Sequence, residues 1–115
     1  SLRRDFMIVI EPINKDYYQG LKMEGHADHA PRGTDVVCAG VSSALFTLYY
    51  ALCNLKGAYQ IEATMEPGYA KIVINDLDTS TDAMVDGFID VVEQIQQQYP
   101  NTIQFQGDYN HEQRV

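Results

Sequence analysis

A chain of 115 residues and 13.0 kDa is the size of one domain, long enough for one core and too short for two. With 45% apolar and 21% charged residues and no low-complexity tract, the composition is that of a folded protein, which argues against a disordered chain. Eight basic against 16 acidic side chains leave a formal charge of −8, which repels phosphate backbones, argues against nucleic acid as a direct ligand and favours encounter with a basic protein partner.

No apolar run approaches the roughly 20 residues needed to cross a bilayer, and "SLRRDFMIVIEP" lacks the long apolar core and cleavage site of a secretion signal. The expectation is a cytoplasmic protein that engages no membrane. Ser1 and Leu2 could be additions, with native-like sequence resuming near Arg3 or Met7; a single domain is expected over residues 1 to 115.

In chain order, "FMIVIEPI" (6 to 13) is a branched apolar run that stops near Pro12, and "YYQGLKMEGHA" (17 to 27) alternates more loosely after a turn at "NKD". Together they predict a β-hairpin ending at Gly25-His26. Residues 28 to 35, "DHAPRGTD", have turn residues and no period, and read as a loop. Between Val36 and Leu55 there is no charged residue and almost no polar face, which predicts a helix buried between a sheet and another helix or subunit. Ser42, Ser43 and Thr47 make it too polar for a convincing membrane span. Thr34 or Asp35 would cap it, and Lys56-Gly57 would end it.

"AYQIEATME" and "YAKIVIND" then flank Pro67-Gly68 as a second hairpin. "TSTDAMVDGFIDVVEQIQQQYP" follows as an amphipathic helix, with Met84, Val85, Phe88, Ile89, Val92 and Ile95 at helical spacing and a stop at Pro100. "NTIQFQGDY" alternates as a last strand. The order is ββαββαβ, an α+β fold in which a mostly antiparallel sheet carries two helices.

Two cysteines, Cys38 and Cys53, share the first helix, where their separation corresponds to about 22 Å of rise. They are too far apart to bridge, and unpaired thiols fit a reducing compartment. Cys38 opens its helix, where unpaired amides and the dipole favour a thiolate and where amides near Cys38 and Ala39 would hold an oxyanion. His26 could meet it across the fold as an activating base, with Asp35 orienting the imidazole and Ser42, one turn on, bonding near the thiol. Each also has a plain structural reading: a buried core thiol, a strand-end histidine, an N-cap, and a helix serine bonding its own backbone. A metal site would draw on His26, Asp28 or His29, and Cys38, but no second cysteine or paired histidine completes it. His29 reads as a loop residue, His111 as a residue of a polar tail, Cys53 as core, and Phe46, Tyr49 and Tyr50 as helix packing or a dimer interface.

The series "GHA", a loop ending in Gly33 and Asp35, and "VVCAGVSSAL" resembles the signature of the ribosomal-processing cysteine protease family, Prp, densely between Gly25 and Leu45. The resemblance implies a cysteine endopeptidase that removes a short N-terminal extension, ending in bulky apolar and aromatic residues, from large-subunit ribosomal protein twenty-seven. It puts His26 in the place of the general base and Cys38 in that of the nucleophile, with Asp35 and Ser42 in supporting positions. It implies a homodimer and no cofactor or metal. Residues 28 to 35 would be a mobile flap hinged at Gly33. The rival reading is a noncatalytic ribosome-assembly or protein-binding module that uses the same groove, and a metal-dependent hydrolase is a third.

Overall fold

The computed structural model describes residues 7–14, 17–25 and 34–107, and for residues 34 and 35 the backbone alone. Strands β1 (Ile8–Ile13) and β2 (Gly20–Glu24) precede helix α1 (Thr34–Lys56). After a 3₁₀ turn at Ala58–Gln60 come β3 (Ile61–Glu66), β4 (Tyr69–Ile74), helix α2 (Thr79–Gln98) and β5 (Ile103–Phe105). The ββαββαβ order is as expected. The five strands form one sheet in the order β3-β4-β2-β1-β5, antiparallel except where β5 runs parallel to β1.

Burial alternates along β1 and β4, and the sheet's register puts one apolar set on one face. Leu21 stands opposite Ile72 and Pro12, Ile10 opposite Met23 and Phe105, and Ile61 opposite Ile74. Both helices cover that face. Helix α1 contributes Val37, Val41, Leu45, Leu48 and Leu52 at helical spacing, and α2 contributes Val85, Phe88, Ile89 and Val92, all in one cluster with the strand residues. Burying each of these side chains is worth about 1.5–3 kcal/mol, which is ample to fix both helices on the sheet.

Several local devices hold these layers in place. Asp78 caps α2 by accepting the amides of Ser80 and Thr81, while the Thr81 hydroxyl oxygen accepts the Asp78 amide, a reciprocal box. Lys56, the last residue of α1, bonds Asp78 and lies 3.4 Å from Asp76, so the end of one helix is tied to the start of the other. The Asp82 carboxylate accepts the Tyr18 amide at 2.8 Å, pinning the β1–β2 loop to α2.

Three boundaries differ from the sequence reading. Helix α1 begins at Thr34 rather than Val36, so the expected loop ends sooner. Residues 58–60 are a helical turn, not the start of a strand. The second strand begins at Gly20, because the Tyr18 amide is committed to Asp82 instead of a strand partner. A fourth difference concerns burial. Helix α1 buries one side only, and Val36, Phe46, Tyr50 and Leu55 are 59%, 47%, 62% and 47% exposed. By length and composition Val36–Lys56, with a mean hydropathy of 1.8, is also apolar enough to cross a membrane, contrary to the expectation that no run comes near.

Candidate active site

The start of α1, the end of β2 and the turn between β3 and β4 enclose a cleft of about 540 Å³. Cys38 and Ser42 stand one helical turn apart on its α1 wall, followed by Leu45 and Phe46. Met23 from β2 and Met65 from β3 supply soft apolar surface, and Gly25, Pro67 and Gly68 form the opposite rim. A thiol and a hydroxyl therefore face a space walled largely by apolar side chains. A second hollow, of about 660 Å³, lies between α2 and β5, lined by Glu93, Gln96 and Gln97 among others, and contains no cysteine.

The earlier helix start changes how Cys38 is served. Counting from Thr34, Cys38 is the fifth helical residue, so its amide and that of Ala39 enter the i→i−4 ladder and are not spare oxyanion donors. The unpaired amides belong to the turn before it. Helical side chains lean toward the N-terminus, which still brings the Cys38 sulfur beside that first turn. The next turn is open to close packing at Gly40, where an added Cβ would stand 3.1 Å from Ile95 Cδ1 of α2.

The rim is built from backbone. Gly25 follows β2 with φ +137°, and a side chain there would meet the Met7 carbonyl oxygen at 2.4 Å. Its amide donates to the Gly68 carbonyl at 3.0 Å. Gly68, at φ +77°, takes the left-handed position that a turn with Pro67 ahead of it demands.

Cys38 and Ser42 thus line one cleft. Neither cysteine is in a disulfide. Cys53 is half-buried against the core and bonds Tyr49, a hydrogen bond that raises the tyrosine's pKa above its ordinary value. Tyr49 meets Tyr50 edge to face with ring centroids 5.3 Å apart. His26, Asp28, His29, His111 and the side chain of Asp35 lie outside the described residues, as does the expected flap apart from Thr34 and Asp35, whose backbone is already helical. The apolar wall went unnoticed in the sequence: Met23 and Met65 are ordinary strand residues until pairing through β4 brings them together, Met23 and Met65 both lying opposite Ala70.

Comparison with known proteins agrees with this layout. Two curated ribosomal processing cysteine proteases, both named Prp and from Staphylococcus aureus strains, are 52% identical to this chain over 33 residues, 29% of this chain. That stretch spans 31% of those relatives' length. The fold matches the crystal structure of the S. aureus ribosomal processing protease Prp in complex with a substrate peptide, with a TM-score of 0.77 and 24% identity, covering 87% of this chain and 98% of that one. A second S. aureus Prp structure, with a covalently linked product peptide, matches with a TM-score of 0.67 and 24% identity over 87% of this chain and 100% of that one. The sequence profile of the cysteine protease Prp family extends over residues 7–104, from the first strand to the last, and to that family the chain belongs.

Proposed function

We propose that this chain is a cysteine endopeptidase that removes the short N-terminal extension of large-subunit ribosomal protein twenty-seven during ribosome biogenesis, with residues 1 to 115 forming one such domain. The observation that carries this reading is the position of Cys38 beside the first turn of α1, on the wall of an apolar cleft whose rim includes Gly25, the residue before His26. Cys38 is the nucleophile and His26 the general base, with Asp35 and Ser42 in support.

The thiolate attacks the scissile carbonyl carbon, and amides of the first helical turn stabilise the oxyanion. His26 gives its proton to the leaving amine, the peptide carbonyl becomes a thioester on Cys38, and water releases it. A covalently linked product peptide in the S. aureus Prp structure supports such a route. Met23, Leu45, Phe46 and Met65 suit an extension ending in bulky apolar and aromatic residues, and the net charge of −8 suits a basic ribosomal protein while disfavouring nucleic acid. No metal or other cofactor has a step in this route.

The exposed apolar residues of α1 support a homodimer, because a face carrying Val36, Phe46 and Tyr50 is stabilised by a second apolar surface. Packing of the opposite side of α1 on the sheet supports a helix outside the membrane, and two thiols not in a disulfide support a cytoplasmic location. Incubation with the ribosomal protein carrying its extension tests the function: cleavage is expected from the native chain and its loss from Cys38→Ala and His26→Ala. Peptide binding with no cleavage by the native chain would instead favour the noncatalytic module.

A further inference from the structure

Strand β3 is an edge of the sheet, and its free side can be read residue by residue. The Asn75 amide donates to the Gln60 carbonyl at 2.9 Å across β3 and β4, and the Ile74 amide donates the other way, to the Gln19 carbonyl at 2.7 Å. Residues two apart repeat that sense, so Glu62, Thr64 and Glu66 turn their backbone groups to β4. Ala63 and Met65 turn theirs outward, where no described strand follows. The Ile61 amide is taken by the Ala58 carbonyl, which marks where the free edge begins. The Ala63 and Met65 side chains stand opposite Ile72 and Ala70, on the face that carries α1.

Sheet edges are usually blunted by shortness, lysine, proline, a bulge or an inward charge. The opposite edge, β5, is three residues long. Strand β3 has six residues in unbroken register and contains no lysine or proline, and its inward-facing residues are Ile61, Ala63 and Met65. This edge is left competent to pair.

We propose that the N-terminal extension binds by adding as a strand to the free edge of β3. The proposal rests on the protease reading above and supplies the mode in which the substrate is held. Continuity selects the occupant, because Met65 belongs both to the free edge and to the cleft that Cys38 lines. An extended peptide with its scissile bond at Cys38 continues past Met65 to Ala63, exchanging backbone hydrogen bonds with both. Every second side chain then enters the apolar space between β3 and α1, beside Leu45, Phe46 and Met65. A second copy's β3 suits the edge less well. Paired antiparallel about Thr64 it would set Glu62 against Glu66, between chains that each carry a charge of −8.

The test uses the full chain with Cys38→Ala, which cannot cut, and a fluorescent synthetic peptide copying the extension and the residues just after the cut. Each peptide amide is N-methylated in turn and affinity is read by anisotropy. Ala63→Pro is added on the same background, since it removes one outward donor and leaves the bonds between β3 and β4 in place. Methylation should weaken binding about tenfold at every second residue and leave the intervening ones within about twofold. Ala63→Pro should weaken the unmodified peptide about tenfold. Should that variant fold poorly, the methylation series alone decides.

A series without period two, or native affinity in folded Ala63→Pro, would overturn strand addition while the native chain still cuts the peptide. Native peptide affinity with a dimer lost on Ala63→Pro would give the edge to a second copy, and would overturn it as well. A peptide neither bound nor cut by the native chain would overturn the protease reading and the proposal with it.

Discussion

Cys38 and Ser42 share one wall of the cleft, whereas Cys53, on the same helix, lies away from that wall and bonds Tyr49, although both thiols also touch the core. Two thiols of one helix therefore meet different surroundings. Cys38 should react with iodoacetamide near neutral pH at least about tenfold faster than Cys53, read by peptide mass spectrometry after brief labelling. Equal, slow rates would show that the cleft does not activate its thiol and would favour a binding module.

The tie between Lys56 and Asp78 makes a pH prediction. The Lys56 ammonium, with the amides of Thr81 and Ser80, holds the Asp78 carboxyl below its ordinary 3.8, and Asp78, with Asp76, raises Lys56 above 10.5. A carboxylate lowered in the folded state stabilises fully above its unfolded value, and that contribution is lost as pH falls through the folded one. A raised lysine stabilises below 10.5 and loses this as pH climbs through its folded value. Asp78→Asn keeps a capping side chain and loses the charge, so its Tm should lie below native by a nearly constant margin between these limits. The margin should shrink as pH falls below 3.8. Asp78→Ala, which loses the cap as well, should melt lower still. A margin that widens in acid would contradict the pairing.

Gly87 lies inside α2, is exposed, and an added Cβ there meets nothing within 4 Å. Replacement by alanine should therefore stabilise the fold by about 0.5–1 kcal/mol, through the smaller entropy of the unfolded chain. The Tm should rise by roughly 2–5 °C by calorimetry. A fall would mean that this position serves a contact beyond the isolated chain.

The exposed face of α1 predicts self-association. Tyr50, 62% exposed, contributes little to the core, so Tyr50→Lys should fold as the native chain does. If the face is a dimer interface, sedimentation should show a dimer for the native chain and a dissociation constant at least about tenfold weaker for the variant. A native chain that is monomeric at high concentration would rule out the homodimer.

Much of the fold was legible because its period is local. Alternation in "AKIVI" and helical spacing from Val85 to Val92 specify strand and helix wherever a single face is buried. Boundaries set by distant partners were not legible. Nothing near Tyr18 reveals that Asp82, 64 residues away, takes its amide and delays β2. The start of α1 was ambiguous for another reason, since Thr34 and Asp35 are cap-forming residues that also fit within a first helical turn. Sequence also showed α1 as apolar nearly all round, but its pattern does not say which side meets the sheet. At the site, Cys38 and Ser42 were readable as one helix face. The wall formed by Met23, Met65 and the Pro67-Gly68 turn was not, because it exists only once β2, β3 and β4 pair.

The central claim is that Cys38 forms a covalent bond to the peptide it cuts. Mixing the native chain with the extended ribosomal protein, quenching in acid within the first turnover and weighing the protein by mass spectrometry tests this directly. The expected result is a transient adduct that adds to the native chain the mass of the released extension less one water, mapped to Cys38 and removed by hydroxylamine as a thioester is. Cleavage that persists in Cys38→Ala, or an adduct on another residue, would contradict it.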